Sequence, residues 1–509
     1  MASIEQVHQI DVPDSANRRD LFLLCAISAA FGLLHIATNG RYGFHRDELQ
    51  FLTDARHLAW GYVTYPPLTP FIQHIALSLF GLSMIGLRLF CAIGQAIVIL
   101  VTGLMARDLG GSRAAQVTAA LAVALSPVPM FWATEFQYTS FEYLFWVLIA
   151  WFVIRLLKTD DPRWWVAIGA AAGLGIMTKY NILFYLAGVL AGVAFTSARR
   201  YLKSGWFWAG IALAFLIVLP NLLWQVHNHF ISYEFLQHIH ARDLRIGRGD
   251  HFFRDQLKFC INIAATPLAI AGFVFFLRTP RYRMIAWMYA VPVAILIFAK
   301  GRGYYAAAAY LMLIAAGSVT CAQWLRRLPK PASRTIASIF YLALAAVGAY
   351  VMAIVIPFAS SGPLRDFALK NNQDLREEIG WDELVRTVAS IRDTLTPEQQ
   401  AHLGITVGNY GEGGAIEILG PAYDLPAPAS THNAAWFRGY PTPPPTTIIA
   451  LGINAKDANS IFTNCRWAGH NGNSLGVRNE ESMDHPDIFV CGPPREGWPE
   501  LWRKHRDFE

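Results

Sequence analysis

Residues 18–49 read RRDLFLLCAISAAFGLLHIATNGRYGFHRDEL. Two arginines, Arg18 and Arg19, come first. A mostly apolar run over 20–38 follows, and His45-Arg46-Asp47-Glu48 comes a few residues later. A bilayer core takes about 20 apolar residues per helix, so 20–38 predicts a membrane span. The run is longer than the apolar core of a signal peptide, and no Ala-x-Ala-like site follows it. Basic residues ahead of the first span predict a cytoplasmic N-terminus. The acidic pair Asp47-Glu48 then emerges on the extracytoplasmic side.

The rest of the chain repeats this pattern. Of its 509 residues, 54% are hydrophobic and 15% charged, with a mean hydropathy of +0.32. A soluble globular protein carries about 25% charged residues. The shortfall is confined to residues 20–358, while 360–509 read as ordinary soluble protein. This excludes a single soluble domain, a disordered chain and a nucleic-acid binder. Further apolar segments lie at 84–106, 113–131, 140–158, 163–178, 180–197, 206–223, 259–278, 282–299, 304–325 and 335–358. Pro127 and Pro129 predict a break in the third segment. Small-residue runs such as Gly169-Ala170-Ala171-Ala172-Gly173 suit close helix packing in lipid. The fold class is an α-helical polytopic membrane protein of about 11–13 transmembrane helices, with a small α/β extracytoplasmic C-terminal domain. Residues 1–358 form the transmembrane domain, with a long first outer loop at 39–83, and 359–509 form the outer domain.

Alternation of sides makes 107–113, 155–163, 199–203, 278–283 and 326–334 the inside loops. Each is basic, through Arg107 and Arg113, Arg155, Lys158 and Arg163, Arg199, Arg200 and Lys203, Arg278, Arg281 and Arg283, and Arg326, Arg327, Lys330 and Arg334. The net charge of +6 is therefore a topology signal and not a sign of a polyanion partner. A bacterial inner membrane is the expected location.

The outer face collects the chemically useful residues. His45 to Glu48 lie in loop 39–83, Glu135 and Glu142 flank the fourth span, Thr178-Lys179-Tyr180-Asn181 forms a turn, and Lys300-Gly301-Arg302-Gly303-Tyr304-Tyr305 precedes the tenth. A carboxylate at the membrane edge can act as a general base toward a hydroxyl. Lys and Arg beside it can hold a phosphate. Transfer from a glycosyl phosphate demands this combination. Each residue also suits a plainer role. Asp47-Glu48 serves as a helix cap or solvated charge, and Lys179 as a snorkelling anchor. Lys300 and Arg302 suit lipid headgroups, and Tyr304 and Tyr305 an aromatic belt. Glu142 at a span entrance is harder to set aside, because ionisable groups at membrane depth are costly. The histidines, His57 among them, lack the cysteine partners of a structural zinc site.

The run Tyr42-Gly43-Phe44-His45-Arg46-Asp47-Glu48-Leu49 resembles the acidic motif after the first span of family 39/83 glycosyltransferases. These are GT-C enzymes related to protein O-mannosyltransferases and to the lipid A aminoarabinose transferase. Gly61-Tyr62-x-x-x-Pro66-Pro67-Leu68-x-Pro70, Ser140-Phe141-Glu142, Thr178-Lys179-Tyr180, Pro220-Asn221-Leu222-Leu223-Trp224-Gln225 and Lys300 to Tyr305 extend the likeness. Asn409-Tyr410-Gly411-Glu412-Gly413-Gly414-Ala415 and Phe489-Val490-Cys491 carry it into the outer domain. The resemblance implies a polyprenyl-phosphate sugar donor, hexosyl or pentosyl, and an extracytoplasmic glycan, lipid or protein acceptor. Asp47 takes the place of the catalytic base, with Glu48 and Glu142 beside it. Lys179, Lys300, Arg302, Tyr304 and Tyr305 become the donor-phosphate residues. His45, His57 and Tyr65 become acceptor or sugar contacts. Two departures stand out. Aminoarabinose transferases have a donor-contacting Lys where this chain has Tyr65, and many relatives have Asp or Asn where it has Thr139 and Ser140.

No cofactor is indicated with certainty, and an acidic pair leaves a divalent cation possible. A lipid or sugar transporter is the rival reading. Against it stand the absence of a visible inverted repeat and the gathering of polar residues on one face. In the outer domain, residues 380–401 have the apolar spacing of a helix, and 404–408 and 447–451 read as buried strands. Cys465 and Cys491 lie where disulfides form and are expected to bond. Cys25, Cys91, Cys260 and Cys321 fall in spans, as packing residues.

Overall fold

The computed structural model describes residues 14–509, so the N-terminus itself lies outside the described residues. The helical part comprises α1 (Asp14–Thr38), α2 (Arg46–Arg56), α3 (Leu68–Phe80), α4 (Met84–Asp108), α5 (Arg113–Ala124), α6 (Pro127–Trp132), α7 (Tyr138–Thr159) and α8 (Trp164–Ile176). It continues with α9 (Ile182–Phe195), α10 (Gly205–His227), α11 (Ile231–Arg245), α12 (Phe252–Asp255), α13 (Thr266–Arg278), α14 (Arg283–Phe298), α15 (Tyr310–Leu325) and α16 (Lys330–Val355).

Among the described residues, seven helices are long and apolar enough to cross a membrane, or up to nine if each of two bent pairs is one span. The protein is a multi-pass membrane protein. One bent pair is α9 with the turn Ser197–Lys203, and the other runs from Phe252 through α13. Two expected segments form shorter pieces. The 113–131 segment breaks at Ser126-Pro127, where proline cannot donate to the preceding turn. The 163–178 segment yields only the 13 residues of α8, about 20 Å of helix.

Close approach holds the bundle. A Cβ on Gly169 would lie 2.1 Å from the Gly210 carbonyl, so α8 and α10 touch backbone to backbone. On α13 and α15, Gly272 faces the Leu313 carbonyl and Gly317 the Leu268 carbonyl in the same way. In lipid such contacts supply the packing that water-driven burial supplies elsewhere. Gly317→Leu should force α13 and α15 apart and cost about 1–3 kcal/mol, read as a lower midpoint in detergent thermal unfolding.

Four of the five expected inside loops meet at one end of the bundle. Asp108 joins Arg155 and Lys158, Asp160 joins Arg200, and Arg281 donates to the Leu157 and Lys158 carbonyls. The opposite end carries α2, α3 and the C-terminal domain.

That domain begins after α16 with α17 (Pro363–Asn371), α18 (Trp381–Asp393), α19 (Pro397–Ala401) and α20 (Tyr410–Leu419). Its strands are β1 (Leu403–Thr406), β2 (Pro428–Ala429), β3 (Thr447–Ala450), β4 (Arg466–His470) and β5 (Asp487–Cys491). They form one mixed sheet in the order β2-β1-β3-β5-β4. The single helix expected over 380–401 is two, because Thr396 caps a new helix that starts at Pro397. Cys465 and Cys491 are disulfide-bonded, 26 residues apart in sequence. Reducing against non-reducing mass mapping should show the linkage, and reduction should cost about 3 kcal/mol of domain stability.

Loop 39–83 does not pack as an appendage of the bundle. Leu49 and Leu52 of α2 share one apolar cluster with Trp381, Leu384, Val388, Ala415 and Ile416. Gly414 lets α20 reach α2, since a Cβ there would lie 2.7 Å from that of Leu49. Charged α2 has only a narrow apolar face, and the C-terminal domain covers it.

Candidate active site at the junction of bundle and C-terminal domain

Helix α2 starts at a capping box. The His45 side chain accepts from the Asp47 N–H at 3.2 Å, and Glu48 accepts from the His45 N–H at 2.8 Å. Acidic residues suit this position, where helix N–H groups lack partners. The next two carboxylates then part company, because successive helix residues point about 100° apart.

Glu48 points inward. It receives Arg88 Nε at 2.8 Å and Nη2 at 2.6 Å, and the Phe136 N–H at 2.7 Å. Arg88 also donates to the Asn39 and Gly43 carbonyls. Both side chains are buried. Glu48 is thus a fixed part of the scaffold, with its oxygens engaged.

Asp47 points toward the junction of bundle and outer domain. Its Oδ2 accepts from Gln137 at 2.7 Å, and its Oδ1 from the Tyr410 hydroxyl at 2.6 Å. Burial alone would raise its pKa. The charge of His45, the Tyr410 hydrogen bond, the charge of Arg46 and the Gln137 hydrogen bond outweigh burial and hold it below the ordinary value. Arg46 lies over the Tyr410 ring, 4.6 Å from its centroid, and pairs with Glu480. Glu135 sits 3.7 Å from His45. Burial first, then the charges of Asp374, Asp47 and Glu48, push its pKa well above the ordinary carboxyl range.

Gln137 leads directly to Tyr138 and the cationic cluster. The Lys179 ammonium lies 4.4 Å from the ring centroids of both Tyr138 and Tyr305. Among the described residues it has no carboxylate within ion-pair distance. The turn that carries it is tied to the first loop, because the Leu68 N–H donates to the Met177 carbonyl. Tyr180, Asn221 and Gln225 are linked by hydrogen bonds, and Asn221 also holds the Trp60 carbonyl. The Pro220-to-Gln225 motif therefore braces the loop that leads into Pro66-Pro67-Leu68.

The other expected residues take different places. Arg302 forms a two-pronged pair with Asp243 at 2.6 and 3.0 Å and donates to the Tyr304 hydroxyl. Lys300 is exposed at a left-handed turn, with φ 49°. Glu142 is enclosed, its Oε1 accepting from Trp146 and Asn181. The crevice beside it, about 20 Å³, has room for a water but not for a sugar. Tyr65 is buried and donates to Asp54 Oδ2 at 2.6 Å. Arg438 joins the other oxygen of Asp54 and also Glu417, whose second oxygen meets His57 at 3.0 Å. Among the described residues, no group of three His, Cys, Asp or Glu side chains is arranged to hold a metal ion. Asp47 and Glu48 face different partners and do not form a bidentate pair.

The fold matches solved structures along nearly its whole length. The structure of ArnT from Cupriavidus metallidurans bound to undecaprenyl phosphate covers 92% of this chain, with 97% of that chain matched, TM-score 0.56 and 15% identity. This is a GT-C fold. The GT-C likeness also appears in sequence. The family profile described as dolichyl-phosphate-mannose-protein mannosyltransferase matches residues 64–224. The lipopolysaccharide core galacturonosyltransferase RgtB of Rhizobium johnstonii is 25% identical over 51% of this chain and 52% of its own length. An undecaprenyl phosphate-alpha-4-amino-4-deoxy-L-arabinose arabinosyl transferase of Pseudomonas fluorescens is 31% identical over 33% of this chain and 32% of its own. The chain spans about half the length of the first of these relatives.

Three contributors to the site escape a reading of the sequence. Arg88 carries a signal that deserved weight, as a lone charge in an apolar span. Tyr410 sits inside a motif with no role attached. Gln137 has no signal at all.

Proposed function

We propose that the protein is an integral-membrane glycosyltransferase that moves a sugar from a polyprenyl-phosphate carrier to a hydroxyl of an extracytoplasmic acceptor. The N-terminus then faces the cytoplasm and the C-terminal domain the opposite side. The observation that carries the reading is the link between two groups through Gln137 and Tyr138. Asp47, an acid held in its ionised form, accepts from Gln137, and the ring of the next residue, Tyr138, meets Lys179, which has no carboxylate partner among the described residues. The GT-C fold and the named activities of the relatives support the same reading.

In the proposed step the acceptor hydroxyl gives its proton to Asp47. Its oxygen bonds to the anomeric carbon, the carbon–phosphate oxygen bond breaks, and the electron pair leaves with the phosphate. Lys179 offsets the growing charge, with Tyr305 beside it. Arg302 is committed to Asp243 and holds Tyr304 in position. Lys300 is free to meet the carrier from the surface. Glu48 acts through the scaffold. Purified protein should turn over a labelled polyprenyl-phosphate sugar in the presence of envelope lipids. Movement of intact substrate across vesicles without turnover would indicate a transporter instead.

Tyr410→Phe gives a pH test. The lost hydroxyl stabilises ionised Asp47, so its loss raises the Asp47 pKa. The acid limb of kcat/KM should move to higher pH by about one unit, the equivalent of one hydrogen bond to a charged group.

A further inference from the structure

A second cavity of about 330 Å³ lies between α2 and the C-terminal domain, within the size range of small-ligand sites. One face of α2 forms its wall. Gln50, Thr53, Asp54 and His57 recur at three- and four-residue spacing, in line with Asp47 one turn earlier. Tyr410 lines the cavity and also donates to Asp47, so the cavity begins one side chain away from the acid.

Three lining side chains carry buried polar atoms without a hydrogen-bond partner: Gln50 Nε2, Thr53 Oγ1 and His432 Nδ1. Thr53 and His432 are 6% and 8% exposed. Gln50, Thr53 and His432 bring amide, hydroxyl and imidazole groups into a lining that also has apolar surface, a mix that suits a ligand with several hydroxyls. The one guanidinium in the lining, Arg438, is already shared between Asp54 and Glu417. Its charge is offset, so the cavity suits a neutral ligand better than a phosphate. Tyr440, Pro441 and Ala435 supply apolar surface for the C–H face of a sugar ring.

We propose that this cavity binds a neutral hexose unit of the acceptor glycan, next to the unit whose hydroxyl reaches Asp47. The word acceptor rests on the transferase reading above, whereas saccharide binding does not. The donor sugar has a better place elsewhere, because Lys179 and Tyr305 are absent from the cavity lining and connect to the other Asp47 oxygen by way of Gln137 and Tyr138.

The test is saturation-transfer NMR on the full chain in nanodiscs. The probes are methyl α-mannoside, methyl α-glucoside and methyl α-galactoside, with inorganic phosphate as the control. Signal is expected for at least one glycoside and not suppressed by phosphate. Ala435→Trp, which fills the cavity, should abolish it, and Thr53→Val should weaken it. Asp47→Asn should leave it intact. No signal from any glycoside, or signal that survives Ala435→Trp, overturns the proposal. Displacement of the glycoside by a polyprenyl-phosphate hexose would assign the cavity to the donor and overturn the acceptor assignment. Binding is read here without turnover. A failure of the transferase reading, seen as no turnover of a labelled polyprenyl-phosphate sugar by the wild-type protein, is therefore a separate result.

Discussion

Asp47→Asn is expected to lower sugar transfer by about 10²–10⁴-fold, the usual loss when a general base is removed. The fold should survive the change. An asparagine carbonyl can still accept from the Tyr410 hydroxyl, and the Gln137 amide can turn to accept from the new NH₂ group. The capping box and the Glu48–Arg88 pair do not involve the Asp47 side chain. Single-turnover transfer from a labelled polyprenyl-phosphate sugar measures the first claim, and detergent thermal unfolding the second. Near-full activity in a folded Asp47→Asn protein would remove Asp47 from the chemistry. Loss of activity together with loss of fold would show that Asp47 is a structural link between α2 and α20.

How far the sequence carries can be judged from particular residues. Apolar length located α1, α4, α7, α10 and α16, because a span needs only a run of suitable residues. It overestimated α8, which is short and covered by neighbours, whereas Pro127 marked the break between α5 and α6. The face that carries the proposed site drew attention because charge sorts by side, so Asp47, Lys179 and Arg302 stood out. Their division of labour was not legible. Adjacent acids Asp47 and Glu48 look alike in a string, and helix geometry turns one to the junction and the other to Arg88. Likewise, Lys179 and Arg302 look equivalent until Asp243, more than fifty residues from either, is seen to claim Arg302. Contacts between distant segments decide roles, and no local pattern records them. The same holds for α2, whose apolar face finds its cover in residues 381–416.

The second large effect is expected at Arg88. Its guanidinium is buried, gripped by Glu48 and by two backbone carbonyls, with the Glu378 carboxyl at 3.5 Å. Burial, opposed by Arg88 and reinforced by Glu48, pushes Glu378 up to about 8. Glu378 is thus biased toward its neutral form, and Glu48 is the carboxylate that Arg88 grips with two hydrogen bonds. Arg88→Leu leaves Glu48 buried and uncompensated. Removing one partner of a buried pair costs about 3–5 kcal/mol. The double variant Arg88→Leu/Glu48→Gln removes the stranded charge and should recover part of that loss. Unfolding of membrane proteins in detergent is often irreversible, so the comparison is of survival at a fixed temperature by size-exclusion chromatography. The expected order is wild type, then the double variant, then Arg88→Leu. The Arg88→Leu protein should also lose transfer, since Glu48 caps the helix that presents Asp47. A single variant as durable as wild type would mean that the cap and the Phe136 N–H hold Glu48 without Arg88. The site would then be built on the α2 capping box alone.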